Sequence, residues 1–328
     1  MKKRLLFIVV SLFTAQYIFS QSAQSGKAVA ELFTDFHYMI NDTVRTTGFG
    51  INRAYIGYNY TPEGPFSGSM ILNIGSPEEL AAGAKHRRYP FFREASLSYT
   101  KDKLKMSFGI TTARATIFQQ NFMGKRYIAD NFQSKNAYCY VADMGFVLDY
   151  TINNRVKVDF TVMNGEGYSE LQLDNSVKTS AGINIVPFTN SVIRLYYDID
   201  HPNNIWQSLS MIFLGYKNQN INFGAEAAYK TNLDKTNGHD AWGYSATCAV
   251  KVANRTELFG RYDHSTSTVL NGEVIGWNLK NDGDLGIFGI QYTFNQYAQF
   301  ALDYQGIFPD NPLLRNSNGI FLNAHFKF

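Results

Sequence analysis

The sequence contains little cysteine, little charge and, beyond its first twenty residues, no long apolar run. Two cysteines among 328 residues are too few for a disulfide scaffold or a thiolate metal cluster. Charged residues make up 17% and the net charge is only +3, whereas aromatic residues reach 15%. This balance excludes a disordered chain, which would carry fewer aromatic groups and more net charge. A bundle of membrane helices is also excluded, since no stretch approaches the roughly 18 apolar residues that one span requires.

The first twenty residues have the anatomy of a secretory signal peptide. A basic start at Lys2–Arg4 precedes an apolar stretch from Leu5 to Phe13, and small or polar residues follow around Ser20–Ala23. The apolar stretch is shorter than a membrane span, which favours a cleaved signal over the alternative, an uncleaved anchor helix. We therefore predict that residues 1–20 are removed and that residues 21–328 form a single exported domain.

Apolar and polar residues alternate with a period of two almost everywhere in residues 21–328. In the last segment, Ile320 and Leu322 fall on one face, whereas Asn323 and His325 fall on the other. Successive side chains of a β-strand point to opposite faces, so this pattern indicates strands that are apolar on one side only. Such segments of about ten residues recur about sixteen times. They start near residues 27, 47, 65, 91, 103, 139, 155, 177, 191, 205, 220, 241, 255, 284, 296 and 318.

The connections between these segments alternate between short and long. This alternation is typical of an up-and-down barrel with tight turns at one end and longer loops at the other. A soluble β-sandwich is the alternative, but about sixteen strands would need two or more such domains, and no boundary is visible. The long connections are 76–90, 113–138, 164–176, 231–240, 265–283 and 308–317, and only Asn41–Thr46 and Asp200–Asn204 break the contrast.

Aromatic residues concentrate at the ends of the predicted strands, as at Tyr58, Tyr60, Trp242 and Tyr244. Aromatic girdles of this kind lie at the two membrane interfaces of outer-membrane barrels. A barrel in lipid must close, because an open edge would leave backbone groups unpaired in hydrocarbon. We therefore predict an all-β fold, a transmembrane antiparallel up-and-down β-barrel of about 16 strands in the bacterial outer membrane.

Several short motifs resemble those of a known family. They are Arg53–Tyr58, Gly124–Tyr127, Ala142–Gly145, Asn164–Gly167, Arg261–Asp263 and the terminal Phe328. In order and spacing they resemble the outer-membrane porins of Bacteroidetes-type bacteria that are grouped with the phosphate-selective porin O and P family. The resemblance implies a trimeric diffusion channel whose last strand and terminal Phe328 are read by the barrel-assembly machinery. It leaves the solute open, because members of the group differ in selectivity.

The polar face of the predicted strands would line the interior. Burying so many charges in a dry core would be prohibitive, whereas a barrel of about sixteen strands encloses an aqueous channel. The sequence therefore predicts passive diffusion of small polar solutes. The inward charges are Glu31, Asp35, Arg53, Glu94, Lys105, Asp143, Asp149, Lys157, Asp159, Arg194, Asp198, Glu226, Lys230, Lys251, Glu257, Arg261, Asp263 and Asp303.

Basic residues cluster in two of the long connections and suggest an anion-attracting constriction. Arg and Lys both bind phosphate, Arg through its planar fork and Lys as a point charge. On the wall of the predicted barrel, acidic residues outnumber basic ones, which does not suggest an anion filter. The alternative is a solvated loop surface or a binding surface for acidic lipopolysaccharide. The candidates are Arg114, Lys125 and Arg126 in the third connection, Arg53, Arg194 and Arg261 on the wall, and a loop cluster of Lys85, Arg87 and Arg88, with His86 and Arg93 nearby.

Catalytic chemistry is not indicated. Nucleophilic hydrolysis needs a nucleophile, a base and an orienting group in one place. His37 and His325 are expected on neighbouring strands and facing inward, but no serine accompanies a histidine on the outer wall. Cys139 is expected to point inward and Cys248 outward, so no disulfide joins them. We predict no enzymatic activity, no metal and no cofactor.

Basic and acidic residues balance at 27 each once Lys2–Arg4 are removed, so no nucleic-acid partner is expected either. A barrel that acts mainly in surface binding, in adhesion or as a structural protein is the alternative function.

Overall fold

The chain forms one closed barrel of sixteen strands in the computed structural model, which describes residues 25–42, 44–75 and 88–328. Two short helices, α1 (Ile117–Met123) and α2 (Phe132–Lys135), lie between the fifth and sixth strands, and 3₁₀ turns lie at Pro202–Asn204 and Leu233–Lys235. The strands are β1 (Ser25–Asn41), β2 (Val44–Thr61), β3 (Phe66–Gly75), β4 (Pro90–Lys101), β5 (Leu104–Thr112), β6 (Ala142–Thr151), β7 (Val156–Met163), β8 (Lys178–Ile185), β9 (Ser191–Asp200), β10 (Gln207–Lys217), β11 (Ile221–Thr231), β12 (Ala241–Ala253), β13 (Thr256–Ser267), β14 (Gly283–Asn295), β15 (Ala298–Pro309) and β16 (Ser317–Lys327).

The barrel closes because β1 pairs with both β2 and β16. Leu32 of β1 lies opposite Phe326, and Tyr38 lies opposite Ile320. All neighbours in the ring are consecutive in sequence except β1 and β16, and their pairing is antiparallel. Closure leaves no strand edge with unpaired backbone groups. The predicted fold class, an antiparallel up-and-down barrel of sixteen strands, is confirmed.

Side chains alternate between an exposed outer face and a buried inner face. Leu302 is 51% exposed, whereas the next residue, Asp303, is 2% exposed. Phe160 is 40% exposed, and its neighbour Asp159 is 6% exposed. Apolar side chains outside and polar side chains inside reverse the usual order of a water-soluble protein and suit a barrel surrounded by lipid. The predicted inward orientation of Asp159 and Asp303 is confirmed.

The two ends of the barrel differ in the length of their connections. At the short-turn end, as between β4 and β5 or between β10 and β11, only two or three residues join the strands. At the long-loop end, residues 113–141 join β5 to β6 and residues 164–177 join β7 to β8. The predicted alternation is therefore confirmed. The start of the sixth strand, predicted near residue 139, lies at Ala142, so Cys139 belongs to the connection and not to an inward-facing strand position.

Some predicted features fall outside the described residues. These are the signal peptide at residues 1–20 and the loop residues Lys85, His86 and Arg87. Within the described residues, no helix is long and apolar enough to cross a membrane.

Gly57 marks a close approach of β2 to β3. A Cβ atom at this position would lie 2.2 Å from the main-chain oxygen of Met70. Gly57→Ala is expected to lower the free energy of unfolding by about 1–3 kcal/mol, because the backbone must move to admit the methyl group. Urea unfolding of the folded barrel in lipid vesicles measures the change. The matched control is Gly68→Ala on β3, whose Cβ would lie 3.7 Å from its nearest neighbour. Equal stabilities of the two variants would contradict the prediction.

Candidate functional site: the barrel interior

The third long connection, residues 113–141, folds into the barrel, and we call it the inner loop. Its residues bond to inward-facing side chains on strands that are far apart in the ring. A segment that reaches β2, β11 and β14 at once has to cross the interior. The contacts include Asp130 with Arg53 on β2, Gln133 with Glu226 on β11, and Tyr127 with Gln291 on β14.

The inner loop descends as far as the short-turn end. The carbonyl oxygen of Phe122, at the end of α1, accepts hydrogen bonds from Lys217 Nζ (3.1 Å) and Asn222 Nδ2 (2.9 Å). Both donors flank the short turn between β10 and β11. Gly124 ends α1 with a φ of 70°, a left-handed conformation that glycine adopts at little cost. The chain then reverses, and Tyr138 hydrogen-bonds Ser265 near the long-loop end.

The inner loop covers a stretch of wall that is apolar on its inner face. On β10, Leu209 and Phe213 point inward and are fully buried. The rings of Phe118 and Phe122 on α1 pack against Phe213, with centroids 5.8 and 5.2 Å away. Phe132 of α2 is also fully buried in the cluster around Leu209. This side of the interior is therefore dry and filled by protein.

Asp130 anchors the inner loop to cations from three directions. Arg53 Nη2 donates to its carboxylate at 3.2 Å, and Arg126 Nη1 lies 2.9 Å from the other carboxylate oxygen. Arg261 donates to the backbone oxygen of Asp130 and also pairs with Asp263 at 2.6 Å. Burial disfavours the charged carboxylate, but the guanidinium groups of Arg126 and Arg53 outweigh burial and lower the pKa of Asp130. Three of the predicted constriction cations therefore meet at one acid.

The other predicted constriction cations are also paired with acids. Arg114 holds Asp149 through two hydrogen bonds of 2.8 and 2.6 Å. Lys125 Nζ lies 2.9 Å from Glu257 Oε2. The sequence placed these cations, with Arg53, Arg194 and Arg261, facing the channel. The structure shows each of them beside a carboxylate. The inner loop supplies one partner of the pairs Arg53–Asp130, Arg114–Asp149 and Lys125–Glu257, whereas Arg194 and Arg261 pair with acids of the wall itself.

Arg194 is the most deeply buried of the candidate constriction cations. Its side chain is 1% exposed, pairs with Asp159 at 2.7 Å and donates to the backbone oxygen of Arg114 at 2.8 Å. Arg194 therefore faces the inner loop from the wall with its charge already paired, and its role in a constriction stays a prediction. The inner loop lies over it, a long-range contact that strand periodicity does not reveal.

The remaining candidates lie outside the inner loop. Arg88 donates to the backbone oxygens of Ile51 (2.6 Å) and Gly75 (3.0 Å), so it binds the rim of β2 and β3. Phe328 follows β16, is 73% exposed, and donates its backbone N–H to Ala30.

The interior stays open along the wall formed by β1–β5. A cavity of about 280 Å³ lies there, between this wall and Gln120 of α1. Its charged lining residues are Lys27, Glu31, Arg93, Glu94 and Lys327. Arg93, which the sequence grouped with the second loop, lies within β4. Sequence analysis did not place Arg93 on the wall, although the spacing of Phe92 and Ala95 around it departs from the period of two.

A second segment, residues 164–177, crosses the long-loop end, and we call it the mouth strap. Asn73 Nδ2 on β3 donates to Tyr168 Oη at 2.9 Å. On the other side, Lys235 Nζ lies 2.8 Å from Glu166 Oε1 and 3.0 Å from Asp174 Oδ2. Lys235 follows β11, which is eight strands from β3 in a ring of sixteen. The strap is therefore tied to opposite sides of the mouth.

Groups with catalytic potential are few in the described residues. No cluster of three or more histidine, cysteine or acidic side chains there has the geometry to hold a metal ion. His37 and His325 lie on the paired strands β1 and β16, as predicted. Both cysteines are free thiols. Burial, assisted by Asp198, raises the pKa of the Cys139 thiol to about 12, so the reactive thiolate is scarce at neutral pH.

Comparison with known proteins defines the class of fold. No protein-family model and no curated protein sequence matches the chain. Among solved structures, OmpF of Salmonella typhi in complex with daunomycin has a TM-score of 0.69 and 11% identity, over 93% of this chain and 98% of that one. The anion-selective porin from Comamonas acidovorans has a TM-score of 0.67 and 10% identity, over 93% and 99%. OmpT, expressed in the outer membrane of Vibrio cholerae, has a TM-score of 0.63 and 14% identity, over 94% and 99%. The fold is therefore that of porin-type outer-membrane barrels, and the function has to be argued from the site.

Asp130→Asn should loosen the inner loop. The amide keeps the shape of the carboxylate but loses its attraction for Arg53 and Arg126. Hydrogen bonds to charged groups contribute about 1.5–3 kcal/mol, which we discount because 37% of the Asp130 side chain is exposed. We expect trypsin to cleave the loop of the folded barrel several-fold faster. Asp42→Asn, in the exposed pair with Arg315, is the control. Equal cleavage rates in both variants would refute the anchoring role.

The mouth strap should open in acid. Hydrogen bonds from Ser176 and Lys235 outweigh burial and lower the pKa of Asp174, while Glu166 and Asp174 outweigh burial and raise the pKa of Lys235. Because the pKa of Asp174 is lowered, its interactions stabilise the strap above about pH 4. This stabilisation is lost as the pH falls through the lowered pKa. Because the pKa of Lys235 is raised, its ion pairs stabilise the strap below about pH 10.5. This stabilisation is lost as the pH rises through the raised pKa.

Hydrogen exchange of residues 164–177, corrected for the intrinsic rate, measures this opening. Protection is expected to be high at pH 7 and to fall near pH 3. Lys235→Met should remove the protection at both pH values. Equal protection at pH 3 and pH 7 in the unmodified protein would show that the ion pairs do not hold the strap.

Proposed function

We propose that this protein is an outer-membrane porin, a water-filled channel through which small polar solutes and ions diffuse passively. The observation that carries the proposal is a closed barrel whose inner loop fills one side and leaves a cavity of about 280 Å³ on the other. Charged groups line this cavity, which favours water over a dry core because unhydrated charges are costly. No covalent step is required, since the wall supplies hydration and an electric field.

The same proposal includes export and assembly. Residues 1–20 would direct export and be cleaved, and residues 21–328 would form the barrel domain. The exposed apolar outer face, with residues such as Phe108 and Phe288, supports insertion in the outer membrane beside lipopolysaccharide. Phe328 is the candidate residue for recognition by the barrel-assembly machinery. A homotrimer is proposed by analogy with Vibrio cholerae OmpT, which is known in a trimer form.

Anion preference is a narrower proposal. The inner-loop cations Lys125 and Arg126 are paired with acids, so they contribute little net field. Lys27 and Arg93 line the open cavity and favour anions, while Glu94 beside them opposes the effect. We therefore propose a general channel with at most a weak anion preference. A phosphate-selective channel of the porin O and P type is the alternative.

Planar-bilayer recording of the refolded protein tests these proposals. A porin gives discrete open steps, and a salt gradient reports its ion preference through the reversal potential. Steps that are indifferent to added phosphate support the general channel, whereas steps that phosphate blocks would select the phosphate-selective alternative. A well-folded barrel that gives no steps would overturn the channel proposal.

Neutralising Lys125 and Arg126 together should move the reversal potential toward cation preference. The double variant Lys125→Gln, Arg126→Gln leaves the partner acids Glu257 and Asp130 without these cations, inside the channel. The matched control is Lys101→Gln with Lys103→Gln, at the short turn between β4 and β5. A reversal potential that shifts equally in both double variants would show that the inner loop does not line the conducting path.

A further inference from the structure

The open cavity holds a β-bulge that turns two neighbouring charges inward. On β4, Phe92 lies opposite Leu72 and Ala95 lies opposite Met70, which places both on the outer face. Outward residues in a regular strand are two apart, but these two are three apart. The register shifts between Ile71 and Leu72, as expected where one strand contains an extra residue. Arg93 and Glu94 therefore both line the same cavity.

Neither of these two charges is neutralised by a partner in the part of the chain that the structure describes. Arg93 is 8% exposed, and its buried Nη1 has no hydrogen-bond partner. Among the described residues, the structure shows no ion pair for either Arg93 or Glu94. The candidate constriction cations differ, since Arg114 of the inner loop and Arg194 of β9 each hold a carboxylate. A buried guanidinium without an ion-pair partner is unfavourable, so Arg93 favours the approach of an anionic group.

The other charged groups of the cavity leave Arg93 and Glu94 as its one pair of opposite charges without an ion pair. Glu31 and Lys327 pair with each other at 3.0 Å and largely cancel. Lys27 adds a further cation on β1, and Tyr55, Asn59 and Gln120 are neutral polar groups of the lining. The cavity thus offers a cation and an anion on consecutive residues, opposite the helix that narrows the interior. An inorganic anion would meet Arg93 but would be repelled by Glu94, whereas a solute with both charges satisfies both groups.

We propose that Arg93 and Glu94 form a subsite for small zwitterions of the amino-acid type. The carboxylate of the solute binds the Arg93 guanidinium, which suits it through paired hydrogen bonds. The ammonium group of the solute binds the Glu94 carboxylate. This inference rests on the proposed channel function, and it identifies the class of solute that the channel favours.

Current block by alanine in planar bilayers tests the subsite, with lactamide as the neutral isomer. In the unmodified channel, alanine should reduce the potassium chloride current several-fold more effectively than lactamide. Arg93→Gln and Glu94→Gln should each bring alanine down to the level of lactamide, and they should shift the reversal potential in opposite directions. Lys105→Gln and Glu63→Gln remove one charge of each sign elsewhere and should keep the preference for alanine.

The outcomes separate the two proposals. A folded protein without channel activity would overturn the channel function itself. An active channel that responds equally to alanine and lactamide would overturn the zwitterion subsite alone. Loss of the preference in Arg93→Gln but not in Glu94→Gln would also overturn it, because that result describes a simple anion site. If the Arg93→Gln variant does not refold, Arg93→Lys takes its place in the experiment. This variant keeps the charge and should retain part of the preference for alanine.

Discussion

The need to pair every backbone donor and acceptor within the protein governs this structure. In a hydrocarbon surrounding, strands satisfy this need only by closing into a ring, and β1 closes it by pairing with β16. Closure then fixes the alternation of side chains, with Phe160 outside and Asp159 inside. A ring of sixteen strands encloses more space than wall side chains can fill. The interior must therefore hold water, further protein or both, and here it holds both.

The division of the interior follows from the wall. Where β10 presents Leu209 and Phe213 inward, the inner loop packs and excludes water. Where β1–β5 present charged and polar groups, the space stays open. The cations in and around the inner loop are paired with acids, as Arg53 and Arg126 are with Asp130. Arg93 and Glu94 on the bulge of β4 make no ion pair among the described residues, and the mouth strap crosses the long-loop end above them.

Periodicity was sufficient to predict the strands, their alternation and the closed barrel, because each depends on residues that are near in sequence. It could not predict which acid meets which base, since Asp130 and Arg53 are 77 residues apart. Two features did leave a signal in the sequence. The run Met211–Leu214 is apolar on both faces, which indicates a covered stretch of wall. The odd spacing of Phe92 and Ala95 indicates a bulge with Arg93 and Glu94 inside.

The central claim is that water and ions pass along β1–β5 while the β10–β11 side is sealed by the inner loop. Thiol modification during single-channel recording tests it most directly, in a background with Cys139→Ser and Cys248→Ser. Asn59→Cys lies on the open cavity, and Ala228→Cys lies beneath the inner loop. The account predicts that a bulky water-soluble thiol reagent lowers the current of Asn59→Cys and leaves that of Ala228→Cys unchanged. The reverse pattern would place the conducting path on the other side of the barrel and contradict the account.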